Sequence, residues 1–242
     1  PNFMLMLYKL KSYYLGLWEL FFPIHCLGCE SPISQNHSPL CVYCRHQLPL
    51  TRFYLQSNHP MDSVFYGRVP FESSIALCYF KKGGIVQQLI HNLKYRGQQQ
   101  VGHFFGQWLG NEMIKSKKFD TIEGVIPVPL HPKRLRKRGY NQVSWFGKAI
   151  ANQFNVPFYE AILVRQKNTQ TLVQKNRQER WKALLNAFTV EQKKSIENKH
   201  LLLVDDVLTS GATLEACAEK LLEIKGVRIS IATMVFAQQI LP

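Results

Sequence analysis

The chain has 242 residues, 46% of them hydrophobic and 19% charged, an ordinary composition for a globular protein. A chain of this size can bury a core without disulfide bonds to hold it together. Its 30 Lys and Arg residues outnumber 16 Asp and Glu, and the formal charge of +14 favours polyanionic partners: nucleic acid, phosphorylated metabolites or acidic lipid.

The first predicted element is an amphipathic helix over residues 3–22, where Leu and Tyr recur at spacings of three and four. Lys9, Lys11 and Glu19 make this segment too polar for a spanning helix, and no signal-peptide cleavage pattern follows it. We expect the helix to dock on the protein core, with binding to a membrane surface as the alternative. The predicted location is therefore cytoplasmic, with no transmembrane segment.

Residues 23–60 are rich in Pro, Cys, His, Ser and Asn and have too few aliphatic residues to form a core. A segment of this kind needs a metal ion in order to fold. We therefore predict two domains, with the amino-terminal helix and a cysteine-based metal module in residues 1–60 and an α/β domain in residues 61–242.

Two pairs of cysteines in this segment have the spacing of zinc knuckles. They are Cys26 with Cys29 and Cys41 with Cys44. Four thiolates at such spacing form a closed tetrahedral site, which implies a structural Zn²⁺. The alternatives are two disulfides, which conflict with a cytoplasmic location, or a redox C-x-x-C motif, which would not be duplicated. His25, His37 and His46 lie nearby as substitute ligands.

From about residue 73 the hydrophobic pattern alternates between strands and helices, which predicts a mostly parallel sheet flanked by helices. The predicted strands are 74–80, 125–128, 162–164, 201–204 and 229–236. The predicted helices are 85–94, 101–114, 141–154, 177–185 and 214–222.

The stretch 201–213 has the pattern of an anion site. An aliphatic strand ends at Asp205 and Asp206, and a turn of small and hydroxyl residues leads into a helix; the turn contains Thr209, Ser210, Gly211, Ala212 and Thr213. Ligands of parallel α/β proteins bind at this edge of the sheet, where helix amides and hydroxyls donate to phosphate. Adjacent carboxylates suit the paired hydroxyls of a ribose. The alternative is a plain strand, turn and capped helix.

Positive charge is concentrated after the strand 125–128. The cations are Lys133, Arg134, Arg136, Lys137 and Arg138, and Tyr140 follows them. A run of this kind is often only a solvated face, but beside a phosphate pocket it favours a binding role. We choose Lys133, Arg134 and Arg138 for diphosphate contact, and the whole run with Tyr140 for nucleic acid.

A polar segment, residues 165–180, has no acidic residue before Glu179. It is interpreted either as a mobile loop that closes over a ligand or as an ordinary surface loop. Trp145 and Trp181 could stack on bases if exposed, although helical spacing predicts Trp145 and Phe146 as core residues.

The motifs, taken in order, resemble the ComF family of competence-associated proteins. The stretch 203–213 is similar to the phosphoribosyl diphosphate signature of type I phosphoribosyltransferases. The other motifs are the two cysteine pairs, 93–97, 127–131 and 134–142. The resemblance implies a type I phosphoribosyltransferase fold behind a four-cysteine zinc finger.

It also implies that Asp205 and Asp206 hold the ribose of phosphoribosyl diphosphate and that Thr209 to Thr213 hold its 5′-phosphate, with Mg²⁺ on the diphosphate. In function it implies DNA uptake in natural transformation, with single-stranded DNA and inner-membrane uptake machinery as partners. The alternative is an active phosphoribosyltransferase with no DNA role. The sequence identifies no catalytic residue and no accepting nucleophile.

Overall fold

A computed structural model describes residues 23–33, 38–166 and 185–237. The predicted helix at 3–22, His37, the predicted helix at 177–185 (bar residue 185), Trp181 and most of the segment 165–180 lie outside the described residues. Contacts divide the chain into two compact units, Pro1–Leu48 and Pro49–Pro242.

The described residues of the first unit, 23–33 and 38–48, form little regular structure. A two-residue strand, β1 (Ile24–His25), pairs antiparallel with β2 (Pro32–Ile33). A short helix, α1 (Val42–His46), begins after Cys41, whose sulfur accepts a hydrogen bond from the amide of Cys44. The cysteine pairs therefore lie in turns around very short elements, as expected of a segment that cannot fold on apolar burial alone.

The second unit begins before the predicted boundary at residue 60. Leu50 forms a bridge with Cys78, and the hydroxyl of Thr51 donates to the carbonyl of Ala76. These contacts join residues 49–51 to the first strand of the main sheet. Helix α2 (Pro60–Phe65) follows, with Phe65 fully buried.

A four-stranded parallel sheet forms the centre of the second unit. The strands described in this unit are β3 (Ser74–Tyr79), β4 (Gly124–Pro127), β5 (Leu163–Arg165), β6 (Phe188–Val190), β7 (His200–Leu208) and β8 (Arg228–Phe236). The sheet has the order β3-β8-β7-β4, and every neighbouring pair is parallel. The predicted parallel sheet is confirmed. Strands β5 and β6 form a separate antiparallel pair.

Helices connect and cover these strands. They are α3 (Ile85–Tyr95), α4 (Gln100–Ser116), α5 (Pro132–Arg138), α6 (Ser144–Phe154) and α7 (Ala212–Leu222). Helices α4 and α6 approach closely at Gly106, where an added Cβ would lie 2.4 Å from the carbonyl oxygen of Phe146. Within the described part of the chain, no helix combines the length and apolar character needed to span a membrane.

Strand β7 is longer than predicted. The sequence pattern places its end before Asp205, whereas the strand continues to Leu208. The extension is paired: Asp205 lies opposite Thr233, and Leu208 lies opposite Phe236 of β8. Because strand pairing is a main-chain interaction, it tolerates two acidic side chains where the aliphatic pattern stops.

Candidate functional site

A cleft of about 620 Å³ opens in the second unit and brings together most of the predicted segments. Its lining includes residues that directly follow β4, residues near the end of β7, residues of α3 and α5, and a residue at the start of α7. The lining residues are Lys94, Tyr95, Gly97, Val128, Pro129, Leu130, Arg134, Lys137, Arg138, Tyr140, Gln142, Arg165, Asp205, Asp206, Val207 and Thr213. The cleft thus combines two carboxylates with five cationic side chains.

The two carboxylates of the cleft have different surroundings. Asp206 is buried, and its Oδ2 lies 3.0 Å from Nζ of Lys94 and accepts a hydrogen bond of 2.8 Å from Nε2 of Gln142. Asp205 accepts a hydrogen bond of 2.8 Å from the amide of Asp206. Burial, followed by the adjacent charge of Asp206, raises the pKa of Asp205 to about 8.

Side chains at the end of the basic segment join it to this acidic pair. Arg138 donates to Oε1 of Gln142, the same amide group that holds Asp206. Nδ2 of Asn141 donates to the carbonyl of Val128 at 2.9 Å. These bonds fix residues 138–142 against the carboxyl ends of β4 and β7. Movement of Arg138 would therefore shift the Asp206 carboxylate, because Gln142 is hydrogen-bonded to both.

The basic segment forms a helix, α5, which is absent from the helices that hydrophobic periodicity predicted. His131 precedes it, and its Nδ1 accepts a hydrogen bond of 3.2 Å from the amide of Lys133. This cap, with Pro132 at the first helical position, explains why residues 132–138 are helical. Arg134, Lys137 and Arg138 line the cleft, whereas the exposed side chains of Lys133 and Arg136 lie outside the lining.

The predicted phosphate turn lies between β7 and α7. Gly211 has φ +79°, and an added Cβ would lie 2.8 Å from Cγ1 of Val64 in α2, so only glycine fits there without strain. Thr209 and Ser210 are exposed, while Thr213 lines the cleft. Amides at the start of α7 supply the donors that an anion needs.

Arg68 holds this turn from outside the cleft, a contact that sequence patterns did not reveal. Its Nη1 donates to the carbonyl of Ser210 at 3.2 Å and lies 3.7 Å from Oε2 of Glu215 in the first turn of α7. The guanidinium therefore connects the turn to the helix that follows it. No sequence signal points to Arg68, because it is 142 residues from Ser210.

Nine lining residues were not predicted as site residues, and they include Lys94, Tyr95 and Arg165. Lys94 and Tyr95 belong to the motif 93–97, which pointed to the family and not to a binding role. Arg165 was noted only as the first residue of the polar segment 165–180. Burial lowers the pKa of Arg165, whose guanidinium lies 5.3 Å from the ring centre of Phe188.

The aromatic predictions have mixed outcomes. Phe146 is fully buried, as its helical spacing predicted. The core prediction for Trp145 is wrong: its side chain is 45% exposed, with its ring 6.2 Å from that of His103. Tyr140 lines the cleft but is half-buried, and its hydroxyl donates to the carbonyl of Leu93.

The four cysteines of the first unit form a cluster with the dimensions of a metal site. Their sulfur atoms all lie within 4.8 Å of one another, and those of Cys29 and Cys41 are 3.7 Å apart. Zn–S bonds of about 2.3 Å in a tetrahedron place sulfurs about 3.8 Å apart, so the cluster fits a zinc ion. The amides of Gly28 and Cys41 donate hydrogen bonds to the sulfur of Cys26.

Together, the parallel sheet, the acidic pair at the end of β7 and the glycine-containing turn before α7 define a phosphoribosyltransferase-type domain. The family model described as "Phosphoribosyl transferase domain" matches residues 144–240. Relatives named as competence proteins are similar to this chain along most of its length, which supports a ComF-type protein with a phosphoribosyltransferase-like domain.

One relative is Competence protein F of Haemophilus influenzae, 26% identical over 81% of this chain and 83% of that protein. Competence protein ComFC of Bacillus subtilis is 25% identical over 86% of this chain and 92% of its own length. The DNA utilization protein YhgH of Escherichia coli K12 is 22% identical over 81% and 90% of the two chains.

Among solved structures, the glutamine phosphoribosylpyrophosphate amidotransferase of B. subtilis covers 58% of this chain and 30% of its own, with 17% identity and a TM-score of 0.39.

Proposed function

We propose that this protein serves natural transformation by holding single-stranded DNA during uptake, and that its cleft binds phosphoribosyl diphosphate with Mg²⁺. One observation carries the ligand proposal: the acidic pair Asp205 and Asp206 shares a cleft with five cationic side chains. The names of the relatives, competence protein and DNA utilization protein, support the DNA role. Its place of action would be the cytoplasmic side of the inner membrane, beside the uptake machinery.

The proposed ligand matches the cleft group by group. The hydroxyls of the ribose would donate to the carboxylates of Asp205 and Asp206. The 5′-phosphate would accept hydrogen bonds from the turn Thr209 to Thr213 and from amides of α7. Arg134 and Arg138, two of the residues predicted for diphosphate contact, line the same cleft and would neutralise the diphosphate.

Mg²⁺ fits this site as a partner of the ligand. Among the described residues that line the cleft, Asp205 and Asp206 are the ones with carboxylates, and Asp206 is already engaged by Lys94 and Gln142. Phosphate oxygens would therefore supply most of the ion's ligands, as is usual for Mg²⁺. When bound, the ion neutralises charge on the diphosphate.

Ligand binding can be tested by thermal unfolding. A ligand that binds only the folded state, at about 100 times its dissociation constant, stabilises that state by about 2.7 kcal/mol. We expect phosphoribosyl diphosphate with Mg²⁺ to raise the melting temperature and Asp205→Asn with Asp206→Asn to remove most of the rise. Asp120→Asn, at an exposed position outside the cleft lining, is the control. An undiminished rise in the double variant would refute this placement of the ligand.

The DNA proposal rests on the outer side of α5. Lys133 and Arg136 are exposed and outside the cleft lining, which leaves them available to a strand when Arg134, Lys137 and Arg138 serve the diphosphate. When no diphosphate occupies the cleft, all five cations of α5 can contact the strand. Each phosphate contact on a single strand contributes about −0.7 to the slope of log affinity against log salt, so four or five contacts give a slope near −3.

Anisotropy measurements with a labelled oligonucleotide across salt concentrations test whether Lys133 and Arg136 bind DNA separately from the cations that line the cleft. Replacing all five cations of α5 with Ala should weaken binding and flatten the slope. Lys133→Ala with Arg136→Ala should flatten it in part and leave the response to phosphoribosyl diphosphate intact. If the wild-type protein binds no DNA at low salt, or the five-residue variant keeps the full slope, the DNA proposal fails.

An active phosphoribosyltransferase without a DNA role is the second candidate. It is favoured by the intact acidic pair and by Arg165, a cation next to Asp205 in the cleft. In such a reaction the bond between ribose and diphosphate breaks through a cationic transition state, which fixed charges can stabilise. Release of diphosphate from phosphoribosyl diphosphate, measured with and without nucleobases, distinguishes turnover from binding.

A further inference from the structure

Tyr95 is an exposed aromatic ring on the wall of the cleft. It is the last residue of α3, its side chain is 69% exposed, and it lines the cleft that contains the acidic pair. Single exposed aromatic residues are common on protein surfaces, so exposure alone implies nothing. The surroundings of the ring distinguish it.

Cationic and aromatic groups surround this ring. The guanidinium carbon of Arg138 lies 5.7 Å from the centre of the Tyr95 ring, and the ring of His91 lies 4.9 Å away on the same helix. Arg134 and Lys137 line the same cleft. An accessible aromatic ring in a groove lined with cations is the arrangement by which proteins hold single-stranded nucleic acid, because bases stack on the ring while cations attract the backbone.

Other tyrosines show why this position is distinct. Tyr140, predicted from the sequence to stack on bases, is half-buried and its hydroxyl donates to the carbonyl of Leu93. Its ring therefore has less free surface than that of Tyr95. Tyr66 is 70% exposed, nearly the same as the 69% of Tyr95, but it lies outside the cleft lining.

We propose that Tyr95 is a base-stacking residue, which binds the base of one nucleotide of a single DNA strand while the strand's phosphates lie along α5. The inference rests on the proposed DNA binding and adds a subsite to it. The ligand class is a nucleotide with an unpaired base. Stacking is tolerant of sequence, since every base has an aromatic face, so the subsite should show little sequence preference.

The test compares an oligothymidylate with an abasic oligonucleotide of the same length and phosphate number, each labelled and measured by anisotropy with the full chain. Tyr95→Ala should weaken oligothymidylate binding by about 5- to 150-fold, the equivalent of roughly 1–3 kcal/mol for one stacked base. Its salt slope should stay unchanged, because no phosphate contact is lost. Binding of the abasic strand should be unaffected, and Tyr95→Phe should bind like the wild-type protein.

Tyr66→Ala is the matched control and should leave both affinities unchanged. Equal affinity of Tyr95→Ala and wild type for oligothymidylate would overturn the inference, as would an equal loss on the abasic strand. If the wild-type protein binds neither strand, the proposed DNA function fails by itself. In that case calorimetry compares the affinity of thymidine monophosphate for the wild-type protein and for Tyr95→Ala. A loss of affinity in the variant supports the base-stacking subsite, and equal affinity overturns it.

Discussion

Replacement by Asn should change the stability of the protein in opposite directions at the two acidic residues of the cleft: Asp205→Asn should stabilise it, and Asp206→Asn should destabilise it. In the ligand-free protein, burial and the charge of Asp206 raise the pKa of Asp205 from its ordinary value of 3.8 to about 8. The folded state therefore holds this proton more tightly than the unfolded state. The resulting stability is complete below pH 3.8 and is lost as the pH rises to about 8. Asn at this position does not titrate and avoids the loss.

The size of the effect follows from the pKa. One pKa unit corresponds to about 1.4 kcal/mol, so the full shift sets a limit of about 6 kcal/mol for the stability that Asp205→Asn gains above pH 8. Between pH 5.5 and 8.5 the gain should grow by about 1–3 kcal/mol. Over most of that interval the unfolded chain has already lost this proton, whereas the folded chain still holds it. The side-chain oxygen of Asn keeps an acceptor for the amide of residue 206.

Urea unfolding of the zinc-loaded protein at several pH values, followed by circular dichroism, measures this free energy. Asp206→Asn is the matched comparison. Asp206 is buried and lies 3.0 Å from Lys94, so removing its charge leaves a partly buried ammonium group without its partner. We expect this variant to lose about 1–3 kcal/mol. An Asp205→Asn protein that is no more stable than wild type at pH 8.5, or a gain that does not increase with pH, would refute the assignment of a raised pKa to Asp205.

Three further predictions follow from the site. Protein purified without added metal should contain about one Zn²⁺ per chain, and Cys41→Ser with Cys44→Ser should abolish it and unfold the first unit while the sheet keeps its circular dichroism; protein with neither metal nor reactive thiols would contradict the zinc assignment. Arg68→Ala should lower the affinity for ribose 5-phosphate by about 2- to 10-fold, the equivalent of one hydrogen bond of about 0.5–1.5 kcal/mol. Calorimetry should show an unchanged affinity for diphosphate. Arg68→Lys should lose less affinity for ribose 5-phosphate than Arg68→Ala. Gly211→Ala should destabilise the protein by more than Gly67→Ala, since both glycines have positive φ but an added Cβ meets Val64 at 2.8 Å only at Gly211; equal losses in thermal unfolding would show that the contact carries no cost.

Helix and strand positions in the second unit were largely predictable. Hydrophobic periodicity predicted α3, α4 and α7 to within a few residues and the parallel strands β4 and β8 almost to their ends. These segments obey a local rule, because a buried face of a helix or strand must be apolar at a fixed period. The same rule predicted Phe146 correctly and failed for Trp145, since periodicity assigns both to one helix but cannot say how wide the covered face is.

The basic segment shows a different limit. Its cations contain no apolar stripe, so periodicity gave no helix there, and the helix depends on a proline and a histidine cap. Once the segment is helical, Arg134, Lys137 and Arg138 fall on one side and Lys133 and Arg136 on another. A charge run that is uniform in the sequence thus has two faces in the structure.

The sequence by itself determined the chemistry of the sites: four cysteines at knuckle spacing, two carboxylates at a strand end, and a glycine-containing turn before a helix. These motifs are visible because their residues are neighbours in the chain and the turn geometry depends on local backbone conformation. Only the tertiary structure decided which distant groups complete the cleft. Lys94 is 112 residues from Asp206 in numbering, and Arg68 is 142 from Ser210, yet each lies at about 3 Å from its partner. The reason is physical: a parallel sheet brings the ends of separate strands and their connections to one edge, and which side chains meet there depends on strand order and helix packing, which no local pattern contains.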